Sequence, residues 1–237
     1  MERLIGGAAR RCACALLSAL ACGAAHAGRP LVAEDAGVLA RGDCEFEGVA
    51  SRLGLEGPTA TTGVLQLACG IGLQTQVAGT LGSTRSDGEH SLQAAASGKT
   101  ALRDLTDERA GVALAYSFIG MRPSGMGWRY DLTTLMGVVT VPVRKDLLLH
   151  GNLGASYSRI DRETSAIWAA AAEFLQVGGT GFDLMAETFG TQRDPLWLNF
   201  GLRYTVVPEQ FALNASFGAQ GGSERAKLAT LGFKLNF

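Results

Sequence analysis

Apolar side chains alternate with small or polar ones along strand-length segments in the second half of this chain. In residues 196–206 every even-numbered position is aliphatic or aromatic, whereas the odd-numbered ones include Asn199, Gly201 and Arg203. Residues 147–157 and 211–219 alternate in the same way. A period of two is typical of a β-strand whose two faces meet different environments. The chain shows no long helical period, so we expect an all-β fold.

Short segments rich in Gly, Pro, Asp, Ser and Arg separate the alternating segments, and such segments favour turns. The least distinct division falls around residues 70–72, which leaves ten strands as an alternative to twelve. The predicted twelve strands lie near residues 44–52, 61–69, 72–82, 90–102, 111–120, 129–142, 147–159, 164–176, 182–189, 196–206, 210–219 and 226–237.

The composition of the two strand faces indicates which face is turned to lipid. The polar faces carry Gly, Ser, Asn and an occasional charge, whereas an outer surface in water would be richer in Lys and Glu. In a membrane barrel the apolar face points outward and the lumen takes the small and polar residues. Strands of about ten residues also suit a tilted crossing of the bilayer. We therefore predict a single antiparallel transmembrane β-barrel with short turns over residues 44–237.

The first 27 residues resemble a secretory signal peptide. Arg3, Arg10 and Arg11 precede a short apolar run, and residues 25–27 (AHA) form a small-residue cleavage site. Cleavage there would start the mature chain at Gly28 and leave residues 28–43 as a periplasmic segment before the barrel. Lipid attachment at Cys22 is the alternative for this region. An exported barrel of this kind belongs in the bacterial outer membrane.

Charge argues against nucleic acid as a partner. Removing residues 1–27 takes away three arginines and one glutamate, which leaves 18 basic and 21 acidic residues and a net charge near −3. Nucleic-acid binding proteins usually carry a basic patch. No later segment has the roughly 20 apolar residues that a membrane-spanning helix needs.

The last strand ends the chain on an aromatic residue. Apolar residues at alternate positions precede that end, at Leu231, Phe233, Leu235 and Phe237. An amphipathic final strand with a carboxy-terminal aromatic resembles the signature that the outer-membrane barrel assembly machinery reads. The alternative is an ordinary last strand that happens to end on Phe. The first interpretation names the assembly machinery and the outer-membrane lipids as partners.

Two cysteines remain after the expected cleavage, Cys44 and Cys69. An even number of cysteines in an exported chain suggests a disulfide. In an antiparallel hairpin opposite residues have a constant index sum, and this pair places the midpoint between Glu56 and Gly57, inside a turn-like segment. Two reduced, buried thiols are the alternative.

Catalytic motifs are absent from the sequence. It contains no G-x-S-x-G, no H-E-x-x-H and no Cys/His cluster with zinc spacing. A lipid-hydrolysing barrel needs a Ser and a His on its lipid-facing side. His150 falls on a polar face and His90 at the edge of a turn, neither in a recognisable Ser-His motif. We therefore expect that the chain is not an enzyme and that it has no catalytic residue, bound metal or cofactor.

Three charged residues are candidates for a cluster inside the barrel. Asp183 and Glu187 share one face of their strand, and Arg203 lies on the polar face of the next strand. Across an antiparallel pair these side chains can meet. Such a cluster is either a constriction that selects solutes or a structural ion pair that fills a narrow lumen. Both interpretations stay open.

Several blocks resemble a family of bacterial outer-membrane proteins. Residues 29–36 (RPLVAEDA) are similar to the R-P-L-V-T-D-D-A opening of that family, from which they depart at Ala33 and Glu34. Further similar blocks are residues 98–105 (GKTALRDL), 149–154 (LHGNLG), 186–190 (AETFG) and 200–204 (FGLRY). The resemblance implies an outer-membrane barrel, and related barrels are linked to phenol-degradation pathways.

Two functions follow from this fold class. The first is a narrow channel or transporter for small solutes. The second is a structural or envelope-interaction barrel with a filled lumen. A lipid-active enzyme is a third and weaker alternative.

Overall fold

The computed structural model describes residues 31–54, 59–222 and 226–237. The expected signal peptide and its cleavage site lie outside the described residues, as do Arg29 and Pro30 of the opening motif. The expected midpoint of the first hairpin, between Glu56 and Gly57, also lies outside them.

Twelve antiparallel strands form one closed barrel, because β1 pairs with β12 as well as with β2. The predicted all-β barrel of twelve strands is therefore confirmed. The strands are β1 (Cys44–Gly54), β2 (Thr59–Gly72), β3 (Thr75–Ser86), β4 (Glu89–Arg103), β5 (Gly111–Pro123), β6 (Arg129–Arg144), β7 (Leu147–Ser158), β8 (Glu163–Phe174), β9 (Phe182–Thr191), β10 (Trp197–Val207), β11 (Phe211–Gln220) and β12 (Lys227–Asn236).

Outward-facing positions are apolar and inward-facing ones are small or polar. On β10, Leu198 is 52% exposed, whereas its neighbour Asn199 is 2% exposed. On β7, Leu153 is exposed while His150 and Asn152 are buried. This is the arrangement of a barrel in lipid, because a barrel in water would turn its apolar face inward.

The boundary between β2 and β3 differs from the predicted one. The sequence suggested a third strand from residue 72, but β3 begins at Thr75 after a two-residue turn. Leu73 and Gln74 form this turn with φ values of 54° and 56°. Two-residue hairpin turns of this type favour Gly, Asn and Asp, so a Leu-Gln pair gives no turn signal in the sequence.

Helical structure is nearly absent from the described part of the chain. A short 3₁₀ turn, Val177–Gly179, connects β8 to β9. No helix among the described residues has the length and apolar character needed to cross a membrane.

The two ends of the barrel can be told apart by the first and last strands. We call the end where β1 begins and β12 ends the proximal end, and the opposite end the distal end. Even-stranded barrels of the outer membrane have short turns on the periplasmic side, where we expect the proximal end.

The segment before β1 lies inside the barrel. The sequence suggested a periplasmic segment over residues 28–43, but its described part runs from Leu31 in the distal half of the lumen to Leu39 at the proximal end. We call residues 31–39 the plug. Main-chain N–H and C=O groups away from water need partners, and the polar side chains of the lumen wall supply them to the plug.

Candidate functional site

Glu187 on β9 holds the distal part of the plug. Its carboxylate accepts hydrogen bonds from the main-chain N–H of Val32 at 2.9 and 2.8 Å and from that of Ala33 at 2.8 Å. The side-chain amide of Asn199, opposite it on β10, donates to the same carboxylate at 2.7 Å. Hydrogen bonds to a charged acceptor are the stronger kind, so Glu187 is a principal anchor of the plug.

Side-chain amides and a hydroxyl hold the middle and proximal parts. Asn152 Oδ1 accepts from the N–H of Glu34 at 2.6 Å, and its Nδ2 donates to the carbonyl of the same residue at 3.1 Å. Thr140 Oγ1 accepts from the N–H of Ala36 at 2.9 Å. Gln76 Oε1 accepts from the N–H of Leu39, also at 2.9 Å. These wall residues come from three different strands, which the barrel brings around one path.

Lys99 on β4 binds the two acidic side chains of the plug. Its Nζ lies 3.1 Å from Glu34 Oε2 and 3.4 Å from Asp35 Oδ1, and it donates to the carbonyl of Asp35 at 3.0 Å. All three side chains are buried. Breaking a buried ion pair by removing one partner is strongly destabilising, so this triad should fix the plug along the barrel axis.

Apolar side chains close the distal part of the lumen around Leu31. That residue packs in one cluster with inward-facing residues near the distal ends of β1, β9, β10 and β12. The aromatic members, Phe189 and Trp197, stack with ring centroids 5.9 Å apart. The remaining members are Ala33, Leu53, Ala169, Ala171, Met185, Ala226 and Leu228. The lumen is thus apolar at its distal end and charged toward its proximal end.

A second charged network lies beside the plug in the proximal half. Arg203 donates to Asp183 at 2.7 Å and to Glu173 on β8 at 2.6 Å. Glu173 also contacts His150 Nε2 at 3.2 Å, and His150 Nδ1 lies 3.0 Å from Thr140 Oγ1. Because Thr140 binds the plug, this network is joined to the plug through one hydroxyl.

The predicted charged cluster is therefore divided in the structure. Asp183 and Arg203 are direct cross-strand partners, as their strand faces suggested. Glu187 lies four residues farther along β9, opposite Asn199, and binds the plug instead. Glu173 was not singled out from the sequence, although it shares a face of β8 with Ala169 and Ala171. Its position next to the last residue of β8 gave little sign of a lumen role.

A cavity of about 190 Å³ remains at the proximal side of the plug. Residues 35–39 of the plug form one side of it, and Lys99 and Gln76 contribute to the wall. On the other side Lys234 pairs with Glu45 and lies 3.7 Å from Glu47. The cavity thus combines two ammonium groups with several carboxylates and opens toward the proximal end.

The connection from plug to barrel passes over the first hairpin. Gly42 N–H donates to the carbonyl of Gly70 at 2.9 Å, and a Cβ at Gly70 would lie 2.0 Å from the carbonyl oxygen of Ala40. A disulfide joins the neighbouring Cys44 and Cys69, which are cross-strand partners with Cα atoms 4.2 Å apart. The close approach at Gly70 and the disulfide together fix the place where the plug leaves the lumen.

The terminal residues named in the insertion signature lie on the outer surface. Leu231 and Phe237 are exposed, and Phe233 lies 5.8 Å from the ring of Phe46 on β1. The main chain of Phe237 exchanges two hydrogen bonds with Cys44, at 2.8 and 2.9 Å. This pair closes the barrel at its proximal end.

A Ser–His pair lies on the outer surface of the β3–β4 hairpin. Ser83 Oγ is 2.9 Å from His90 Nε2, and both residues share the outward face with Leu81. Sequence reasoning did not find this pair, because the two residues are separated by a turn and form no local motif. Within the described residues, no group of three or more His, Cys, Asp and Glu side chains is arranged to hold a metal ion.

Comparisons with solved structures identify the same architecture. An outer-membrane channel from Pseudomonas putida F1 superposes with a TM-score of 0.58 at 11% identity, over 86% of this chain and 98% of that one. The KdgM porin gives 0.56 at 9% identity, over 81% and 99%. Outer membrane phospholipase A from Escherichia coli gives 0.50 at 10% identity, over 81% and 89%.

These likenesses show the fold, a barrel like those of bacterial outer-membrane proteins. No protein-family model matches the chain. No curated protein sequence matches it. By its fold this chain is a closed, twelve-stranded antiparallel β-barrel.

Proposed function

We propose that this barrel is a narrow outer-membrane channel for small solutes, and that the plug controls passage through it. The observation that carries the proposal is the lumen itself. It is lined by charged and amide side chains, and the plug that fills it is held by hydrogen bonds and ion pairs. The described wall and the plug are separate layers, so the lumen can open without any change in strand pairing.

The lumen wall carries charged side chains of both signs. Its buried carboxylates are Glu45, Glu47, Glu173 and Asp183 in the proximal half and Glu187 near the middle of the barrel. Arg203 pairs with Glu173 and Asp183, and Lys234 pairs with Glu45. Lys99 pairs instead with the acidic side chains of the plug, so its charge is available to an anionic group when the plug leaves. The KdgM porin and the Pseudomonas channel have this architecture, which supports the channel proposal.

The resemblance to barrels linked with phenol degradation suggests small aromatic compounds as one solute class. The distal apolar cluster with Phe189 and Trp197 suits such compounds, because aromatic rings pack favourably on one another. In the structural alternative the plug never leaves and the barrel only contacts lipid and other envelope components.

Planar-bilayer recording of the full mature chain tests the channel proposal. The wild type should conduct weakly, and Glu187→Ala should raise conductance or open probability because two main-chain anchors of the plug are lost. Leu184→Ala, on the outward face of the same strand, is the matched control and should leave conductance unchanged. Absence of conductance from both the wild type and Glu187→Ala would support the structural alternative.

Lipid-ester hydrolysis is a second candidate function, which the Ser83–His90 pair favours. A serine hydroxyl hydrogen-bonded to an imidazole can act as nucleophile and base, and its outward position is where a lipid ester arrives. Release of fatty acid from phospholipid vesicles by the wild type, abolished by Ser83→Ala and by His90→Gln, would support it. A wild type without such release would leave the pair as a surface hydrogen bond.

A further inference from the structure

We propose that the lumen wall is a binding site for the main chain of a peptide, and that the channel takes short peptides with two adjacent acidic residues. This inference rests on the proposed channel function and names its solute class. The plug is then a resident peptide that occupies the site of the solute.

The wall binds the plug largely through its peptide groups. Among the described residues, the main-chain N–H groups bound by wall side chains are those of Val32, Ala33, Glu34, Ala36 and Leu39. The carbonyls of Glu34 and Asp35 accept from Asn152 and Lys99. Peptide groups are common to all peptides, so these contacts do not depend on the sequence of the plug.

Asn152 shows most clearly that the wall fits a peptide group. Its amide donates to and accepts from the same residue of the plug, Glu34. An asparagine side chain offers one acceptor and two donors side by side, which matches the N–H and C=O that an extended residue presents on one edge. Main-chain hydrogen bonds supply affinity in the same way when peptides add to a sheet edge.

Three side chains of the plug define which peptides would bind best. Glu34 and Asp35 both contact Lys99, so the site favours two consecutive acidic residues. Ala36 is fully buried against Ala113 and Val138, which leaves space only for a small residue after the acidic pair. The preferred ligand is therefore a short peptide that contains two consecutive acidic residues followed by a small one.

The experiment uses the full mature chain with a site-specific protease sequence inserted after Arg41, in the exposed connection between plug and β1. The folded protein in detergent is cut, and a fluorescent peptide of residues 31–39 is added in excess. In a second arm the cut chain is unfolded and refolded with that peptide, so that slow dissociation of the cut fragment cannot conceal binding. Fluorescence anisotropy measures binding in both arms.

Peptides in which single amides are replaced by esters separate main-chain recognition from other contacts. Lactic acid in place of Ala33 or Ala36 removes one N–H donor and keeps the methyl side chain. Each replacement should weaken binding about tenfold, the effect of one net hydrogen bond. The control is the equivalent ester at Val38, whose N–H has no wall partner among the described residues, and it should bind like the parent peptide.

The outcomes separate this inference from the channel proposal. Saturable binding that the esters at Ala33 and Ala36 weaken and that blocks conductance of the cut protein supports both. Conductance after cutting, without binding or with equal binding of all esters, would overturn the peptide site and leave the channel in place. Ester-sensitive binding by a protein that conducts neither before nor after cutting would overturn the channel, while the site itself would stand as a structural plug site.

Discussion

Asn152 binds the main chain of Glu34 through both ends of its side-chain amide, at 2.6 and 3.1 Å. The two residues are 118 positions apart in the chain, and both are buried in the lumen. A wall residue of β7 thus takes the place that a neighbouring strand would occupy for the plug.

Replacing Asn152 with Asp should loosen the plug. Aspartate keeps an oxygen for the N–H of Glu34 but turns a second oxygen toward its carbonyl, so one donor is lost and two acceptors face each other. Leaving a buried group unsatisfied costs about 1–3 kcal/mol. Amide hydrogen exchange of residues 31–39 should be correspondingly faster. Leu153→Ala, on the outward face of the same strand, should not change that exchange, and equal protection in Asn152→Asp would contradict the assigned role.

Replacing Arg203 with Ala should make the channel more cation-selective. The change leaves the carboxylates of Glu173 and Asp183 in the lumen without their shared guanidinium. Breaking a buried ion pair in this way also lowers the free energy of unfolding by roughly 3–5 kcal/mol. Reversal potentials in a salt gradient measure the selectivity.

Leu202→Ala is the matched control for Arg203, because the two neighbours have opposite orientations and Leu202 faces lipid. Selectivity should stay unchanged in that variant. A shift of equal size in both variants would mean that the effect comes from the strand rather than from the lumen charge.

The Cys44–Cys69 disulfide should form in the mature protein. The two residues are opposite each other on β1 and β2, and the closed loop has a sequence separation of 25. The chain-entropy model gives about 3 kcal/mol for a loop of this length. Intact-mass measurement should differ by the mass of two hydrogen atoms with and without reductant. Alkylation of both cysteines in the unreduced protein would show that the bond is absent.

Changing Phe237 to Ser should reduce assembly into the outer membrane. The main-chain hydrogen bonds between Phe237 and Cys44 persist in this variant, so a defect reports the aromatic side chain alone. Phe217→Ser is the control, because Phe217 is an outward-facing, exposed phenylalanine of β11 away from the terminus. Outer-membrane yield of Phe237→Ser equal to that of the control would mean that the terminal aromatic is not read during insertion.

The barrel could be predicted because its information is local. Alternation along segments such as residues 196–206 sets both the strands and their outward faces, and one residue of register shift would reverse every side chain. The boundary of β3 was less accurate because the turn at Leu73 and Gln74 contains no turn-favouring residue.

The amino-acid sequence by itself determined a closed, lipid-facing sheet, since a period of two needs no knowledge of distant residues. Only the tertiary structure decided what fills that sheet. Residues 31–39 have no periodicity, and the wall side chains that bind them lie 37 to 155 positions away. The division between the Arg203 network and the Glu187 anchor depends in the same way on which lumen side chains the plug reaches. The closure of the barrel sets these contacts, because it brings β3, β4, β6, β7 and β9 around the plug.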